Sequence, residues 1–73
     1  MKSDKKLILS KIAKNLKNLR IKHNFTQEYV ANELEINLTT YQKYESKTPY
    51  NIRISNIYLI AKLYNVSIDS LLQ

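Results

Sequence analysis

The sequence predicts an all-α domain of five short helices. Apolar residues recur at steps of three and four within residues 7–22 and 55–64, which is the period of a helix with one buried face. Serine, threonine and asparagine stand where further helices would begin. No segment alternates polar and apolar residues for long enough to indicate a strand. Seventy-three residues form one domain with a small core, which favours short helices packed tightly.

The first helix is predicted over residues 7–22. Residues 1–6 are polar and lysine-rich, so they are predicted to form a flexible basic tail before a domain that spans residues 7–73. Four apolar residues at helical spacing are expected to face inward: Ile8, Ile12, Leu16 and Leu19. Because the chain contains no glycine, Asn24 is expected to end this helix in the left-handed conformation.

Two further helices are predicted close together around the corner Glu35-Ile36-Asn37. Thr26 is a suitable N-cap for the second helix, and Asn37 for the third, which is expected to reach about Ser46. Ala31 is a small residue in the middle of the second helix. This pattern is typical of a helix-turn-helix unit, in which the later helix lies in a DNA major groove.

The remaining chain predicts two helices after a loop. Residues 47–53 include the one proline and are predicted to be irregular. The fourth helix is expected over residues 55–64, with Asn65 ending it in the left-handed conformation. Ser67 is a suitable N-cap for a last helix that reaches Leu72.

The charge indicates a polyanionic partner. The chain carries +6, from 12 basic and 6 acidic residues. Residues 1–23 hold most of the positive charge, whereas residues 24–45 are net acidic, so attraction must come from the first third and from the loop after Glu45. Nucleic acid is the favoured partner, and an anionic membrane surface is the second choice.

Several function classes are not expected. The chain has no cysteine and one histidine, and its carboxylates form no spaced pair, so no metal, cofactor or catalytic site is predicted. No apolar run reaches the ~18 residues of a membrane span, and no signal peptide is recognisable. We therefore expect a cytoplasmic protein that is not an enzyme and does not span a membrane.

A set of residues in order along the chain carries a family resemblance. The set is Leu19-Arg20, Phe25-Thr26-Gln27-Glu28, Val30-Ala31, Leu34, Tyr41, Tyr44-Glu45, Ile60-Ala61 and residues 66–72. This order and spacing resembles the phage repressor and Cro type of DNA-binding domain, the Xre family. The resemblance implies a compact five-helix repressor-like domain, with the helix-turn-helix formed by helices 2 and 3. Glu35 and Lys47 stand where that family usually has glycine, and the loop before the fourth helix is about one residue longer.

The exposed face of the third helix is predicted to contact DNA base edges. An apolar first residue, Leu38, can pack on a thymine methyl group, while Gln42 can pair with adenine and Lys43 with guanine or a phosphate. The complete predicted set is Leu38, Thr39, Gln42 and Lys43. The alternative is that Leu38 only packs on the turn and the others are solvated.

Other residues are expected to contact phosphates or to support the third helix. The resemblance implies a phosphate contact for Gln27, and the anion preference of a helix N-terminus supports it; otherwise it is an ordinary solvent-facing residue. The predicted phosphate contacts are Gln27, Asn37, Lys47, Thr48, Tyr50 and Arg53. The resemblance also implies an ion pair between Arg20 and Glu45, with a phosphate contact by Arg20 as the alternative.

The resulting expectation is a small transcriptional regulator, with a repressor favoured. It would bind a pseudo-palindromic operator in double-stranded DNA, as a weak homodimer formed through residues 67–73. An antitoxin or restriction-controller type of regulator, and a degenerate helix-turn-helix that binds an unidentified protein partner, stay open as alternatives. Membrane binding by the lysine-rich first helix is disfavoured because its apolar residues are needed inside.

Overall fold

The computed structural model describes residues 2–47 and 50–73, and this part of the chain is entirely helical apart from turns and loops. The elements are α1 Lys2–Lys22, α2 Gln27–Glu33, α3 Leu38–Tyr44, α4 Ile54–Tyr64 and α5 Ile68–Leu71. The predicted all-α class and the five helices are confirmed. Helix α3 ends at Tyr44, slightly before the predicted end at Ser46.

Three helices begin with the predicted side-chain caps. The side-chain oxygens of Thr26, Asn37 and Ser67 each accept a hydrogen bond from the backbone N–H three residues later, at 3.0, 2.9 and 3.1 Å. Each cap satisfies one backbone donor that the helix cannot, which is worth about 1 kcal/mol. Local side-chain chemistry therefore sets where α2, α3 and α5 start.

Among residues 2–47 and 50–73, three adopt the left-handed conformation in place of glycine. Asn24 and Asn65 have φ values of 58° and 54°, as predicted, and Glu35 in the corner between α2 and α3 has 56°. Asparagine tolerates this region better than glutamate does. Lys47, at the other position where the Xre pattern has glycine, is not one of the residues with positive φ. Backbone strain is therefore concentrated at Glu35.

The start of α1 differs from the prediction. The helix begins at Lys2, so residues 2–6 are helical where a flexible tail was expected. These residues include no proline or glycine. The carboxylate of Asp4, in the first turn, interacts favourably with the positive end of the helix dipole. Ile8 is 45% exposed, so its predicted inward orientation is wrong. The core begins one turn later, at Ile12.

The core joins all five helices. Leu16, Val30 and Tyr41 are fully buried at its centre. Burying an aliphatic side chain such as that of Leu16 or Val30 stabilises the fold by about 1.5–3 kcal/mol. The complete cluster is Ile12, Leu16, Val30, Ala31, Leu34, Tyr41, Tyr44, Ile60, Ala61, Tyr64 and Leu71. Because Tyr41 and Tyr44 belong to this core, the inner face of α3 is fixed.

Two asparagines tie the later helices to the earlier ones. The Asn15 side chain donates from Nδ2 to the carbonyl oxygens of Leu71 and Gln73, at 2.8 and 3.0 Å, which attaches α5 to α1. Buried Asn56 donates to the Tyr44 hydroxyl at 2.7 Å, which attaches α4 to α3. A buried amide without a partner is costly, so the bond from Asn56 specifies how α4 packs on α3, and the two bonds from half-buried Asn15 hold the end of the chain on α1.

Replacing Glu35 by glycine should stabilise the domain. Glycine adopts positive φ without the steric cost that glutamate meets, which is on the order of 1 kcal/mol. The measurement is the free energy of unfolding in urea. Glu33→Gly, within α2, is the matched control and should destabilise by about 1 kcal/mol. If both variants lose stability equally, the corner is not strained.

Candidate nucleic-acid interface

The two faces of α3 have different surroundings. Tyr41 and Tyr44, three residues apart, point into the core. The four residues predicted to read bases are exposed on the opposite side: Leu38, Thr39, Gln42 and Lys43. Leu38 is 37% exposed, so an apolar surface begins this face. The structure therefore leaves all four side chains available to an external partner.

The start of α2 meets the outer side of α3 through two amides. Gln42 donates from Nε2 to Oε1 of Gln27 at 3.5 Å, and Gln27 donates from Nε2 to Oε1 of Glu45 at 3.3 Å. Gln27 is half-buried and bonded on both sides, so it is not an ordinary solvent-facing residue. Its expected phosphate contact stays a prediction.

Arg20 in α1 forms an ion pair with Glu45, the residue that follows α3. Its Nε and Nη2 atoms donate to the two carboxylate oxygens of Glu45, at 2.8 and 3.1 Å, in a bidentate ion pair. Its Nη1 donates to the carbonyl oxygen of Phe25 at 3.0 Å. The side chains are 14% and 3% exposed. Because all three guanidinium nitrogens have protein partners, the geometry favours the structural role of Arg20 over a phosphate contact.

Hydrogen bonds hold Glu45 in its charged form. Burial raises the pKa of its carboxyl group, but hydrogen bonds from Arg20, Tyr41 and Gln27 outweigh burial and place the pKa below its ordinary value. The donor from α3 is the buried Tyr41 hydroxyl. Burial and the bond to Glu45 raise the pKa of Tyr41, so it remains a donor. The negative charge of Glu45 is thus compensated by Arg20 inside the fold.

Sequence and structural comparisons identify the family and the fold. A sequence model of the helix-turn-helix family matches residues 16–71. This chain belongs to the helix-turn-helix family. The Xre-type resemblance and the assignment of the unit to α2 and α3 are confirmed. No curated protein sequence matches the chain.

The fold of this helix-turn-helix domain is similar to that of a solved structure. That structure is the crystal structure of a hypothetical transcription factor, NHTF, from Neisseria. The two superpose with a TM-score of 0.82 at 26% identity, over 93% of this chain and 75% of that chain.

Four of the six predicted phosphate contacts lie near the two ends of α3. Asn37 and Arg53 line one pocket of about 440 Å³ beside the start of α3. Gln27 lies beside its outer side, and exposed Lys47 follows its end. Thr48 lies outside the described residues. The helix-turn-helix domain therefore places polar groups on either side of its exposed helix.

Tyr50 lies beside the end of α3, next to both Lys43 and Tyr44. Its ring centroid is 5.9 Å from that of Tyr44, and the Lys43 Nζ atom lies 5.5 Å from the Tyr50 ring centroid. A cation–π contact at an exposed site is worth about 0.5–1 kcal/mol. Tyr50 therefore orients the last predicted base-contacting side chain, a contact that the sequence did not indicate.

Two lysines of α1 that the sequence did not single out line the grooves beside α3. Lys17 lines the same groove as Gln27 and Gln42. Lys14 and Lys17 line an adjoining groove with Lys47. Their spacing of three puts them on one helical face, away from the buried residues of α1. This spacing is the signal by which the sequence could have indicated them. Nothing local showed that this face meets the end of α3.

Two structural features are absent from residues 2–47 and 50–73. No helix there is long and apolar enough to cross a membrane. No group of three histidine, cysteine, aspartate or glutamate side chains is arranged there to hold a metal ion.

Replacing Arg20 by alanine should destabilise the helix-turn-helix domain by on the order of 3 kcal/mol, because Glu45 is left buried and unpaired. The measurement is the thermal unfolding midpoint. Arg53→Ala removes an exposed arginine that makes no side-chain cap bond, and it should have little effect. An unchanged midpoint in Arg20→Ala would exclude the pair as a structural element.

Acid should remove the stabilisation that Glu45 provides. Since the pKa of Glu45 is lower in the folded state, this stabilisation is complete above the ordinary value of 4.5 and disappears as the pH falls through the folded value. Glu45→Gln should be less stable than wild type at pH 7, and the gap should narrow towards pH 3. Urea unfolding at several pH values measures this. Glu33→Gln, at an exposed position, should keep the acid dependence of wild type; equal behaviour of the two variants would contradict the assignment.

Proposed function

We propose that this helix-turn-helix domain binds double-stranded DNA with sequence specificity and acts as a small transcriptional regulator of the repressor class. Family membership and the likeness to a hypothetical transcription factor support a DNA-binding regulator. The observation that carries the proposal is the arrangement of α3. Its inner face is buried, the residue after it is bonded to Arg20, and four side chains are exposed on its outer face.

Base reading is assigned to the outer face of α3. The helix has seven residues and is about 10 Å long, so it covers a few base pairs. Leu38 would pack on a thymine methyl group, and Gln42 would pair with adenine. The Gln42 amide would exchange its 3.5 Å contact with Gln27 for the base, and Lys43 would leave the Tyr50 ring for guanine or a phosphate.

Affinity is assigned mainly to phosphate contacts. Asn37 and Arg53 flank the start of α3, while Gln27 and Lys47 lie towards its other end. Contacts of this kind release counterions and position the protein without reading sequence. Specificity would come from α3 and from the cost of deforming particular DNA sequences.

Two copies would bind a pseudo-palindromic operator. A two-fold axis would place two α3 helices about 34 Å apart on one side of the DNA. Residues 67–73 would form the contact: Leu72 is partly exposed there, and Asn15 holds the segment against α1. A patch this small supports only a weak dimer. Sedimentation should find monomers without DNA and two copies on a full site; a stable free dimer would contradict this.

A protein-binding role is the second candidate. The helix-turn-helix segment is net acidic, with four glutamates in residues 24–45 against one lysine, which disfavours contact with DNA. One of these, Glu45, is compensated by Arg20, which weakens this objection. An antitoxin or restriction controller would use the same DNA-binding face together with its own partner.

Four variants test the assignment of reading and positioning roles. Sites selected from a random duplex pool provide a matched and a scrambled sequence. Thr39→Ala and Gln42→Ala should relax base preference at one or two positions, at a cost of roughly 1–3 kcal/mol on the matched site. Lys47→Ala and Arg53→Ala should weaken both sequences alike and reduce the dependence of affinity on salt.

The contrary outcomes are distinct. If the α3 variants weaken matched and scrambled DNA equally, α3 does not read sequence. If the wild-type domain selects no sites and binds no duplex at low salt, the protein-binding role takes its place.

A further inference from the structure

Two adjoining grooves connect the outer side of α3 to α1. The first, about 590 Å³, includes Gln27, Gln42 and Lys17 in its walls. The second, about 360 Å³, runs between α1 and the segment after α3 and includes Lys14, Lys17 and Lys47. Both have Lys17 in their walls, so they lie side by side, and we call the two together the depression. We call its basic edge, made of Lys14, Lys17 and Lys47, the lysine edge.

The lysine edge carries uncompensated positive charge. All three side chains are exposed, and in the described residues no carboxylate lies within 4 Å of their amines. Glu45 is the one acidic residue in the walls of either groove. Its carboxylate is 3% exposed and already accepts both hydrogen bonds of the Arg20 pair. The depression therefore presents a positive field to solvent.

The geometry suits an extended anion more than a small one. Lys14 and Lys17 are separated by about 4.5 Å along α1, which is a rigid helix of 21 residues. Ser10, Lys14 and Lys17 follow one face at helical spacing, and Lys6 continues it one turn earlier. Positive groups spaced along a helix beside an open groove match repeated phosphates, and ammonium groups bind these as point charges.

We propose that the lysine edge binds the DNA sugar-phosphate backbone next to the segment that α3 reads, with Lys14 and Lys17 as phosphate contacts of their own. This inference rests on the proposed DNA-binding function and extends its contact surface onto α1. DNA is favoured over an anionic membrane because the depression opens beside Gln27 and Gln42. The face formed by Ser10, Lys14 and Lys17 also lacks the apolar residues that membrane insertion needs.

A pair of charge-matched double variants tests the proposal. Lys14→Gln/Lys17→Gln removes two positive charges from the lysine edge. Lys22→Gln/Lys62→Gln removes two from exposed positions outside both grooves. Each phosphate contact contributes about 0.9 to the slope of log affinity against log salt concentration. The first variant should therefore have a slope shallower by about 2 on matched and scrambled duplex alike, with base preference unchanged, and the control should keep a slope close to wild type.

A second measurement uses the wild-type protein. Duplex DNA should protect the amines of Lys14 and Lys17 from acetylation, measured by mass spectrometry, and should leave those of Lys22 and Lys62 reactive. This readout does not depend on the folding of a variant.

The failures are distinguishable. If wild type binds DNA with a steep salt slope while both double variants behave alike and Lys14 and Lys17 stay reactive, the lysine edge is not a contact, although DNA binding stands. If wild type binds no DNA, both proposals fail. If vesicles of phosphatidylserine and phosphatidylcholine protect these lysines and DNA does not, a membrane surface is the ligand and the inference is overturned.

Discussion

The Glu45 carboxylate is the point on which the geometry of the interface depends. It accepts hydrogen bonds from Arg20 of α1, Gln27 of α2 and Tyr41 of α3. Removing one partner of a buried ion pair is costly, although exchanging the whole pair for apolar packing often costs little. The specific effect of Glu45 is therefore positional: one acid joins three helices at the end of α3 and determines how that helix is presented.

The two faces of α3 have different roles, because one is packed in the core and the other is exposed. The inner face of α3 is buried in the core through Tyr41 and Tyr44. The negative charge of Glu45, at the end of α3, is compensated by its bonds to other residues. The outer face and the lysines around it remain unpaired by carboxylates within the described residues. A net acidic helix-turn-helix segment is thus compatible with a positive surface, because the one acid that lines the grooves is compensated inside the fold.

The absence of glycine shifts conformational strain to particular corners. Asn24 and Asn65 end helices in the left-handed region at modest cost, whereas Glu35 occupies the same region between α2 and α3. The capping bond at Asn37 and the core contacts of Leu34 hold that corner in place. The corner therefore keeps its shape through its neighbours, at the expense of some stability.

The sequence by itself determined the features that depend on residues a few positions apart. These are the five helices, the caps at Thr26, Asn37 and Ser67, the left-handed asparagines, and the two faces of α3. The Arg20–Glu45 contact was indicated by the family resemblance, since no local pattern joins residues 25 positions apart. Only the tertiary structure decided the bond from Asn15 to Leu71, the exposure of Ile8, and the meeting of α1 lysines with the end of α3. Helix starts and ends follow from short-range hydrogen bonds, whereas these contacts depend on how whole helices pack around one core, which short-range spacing does not encode.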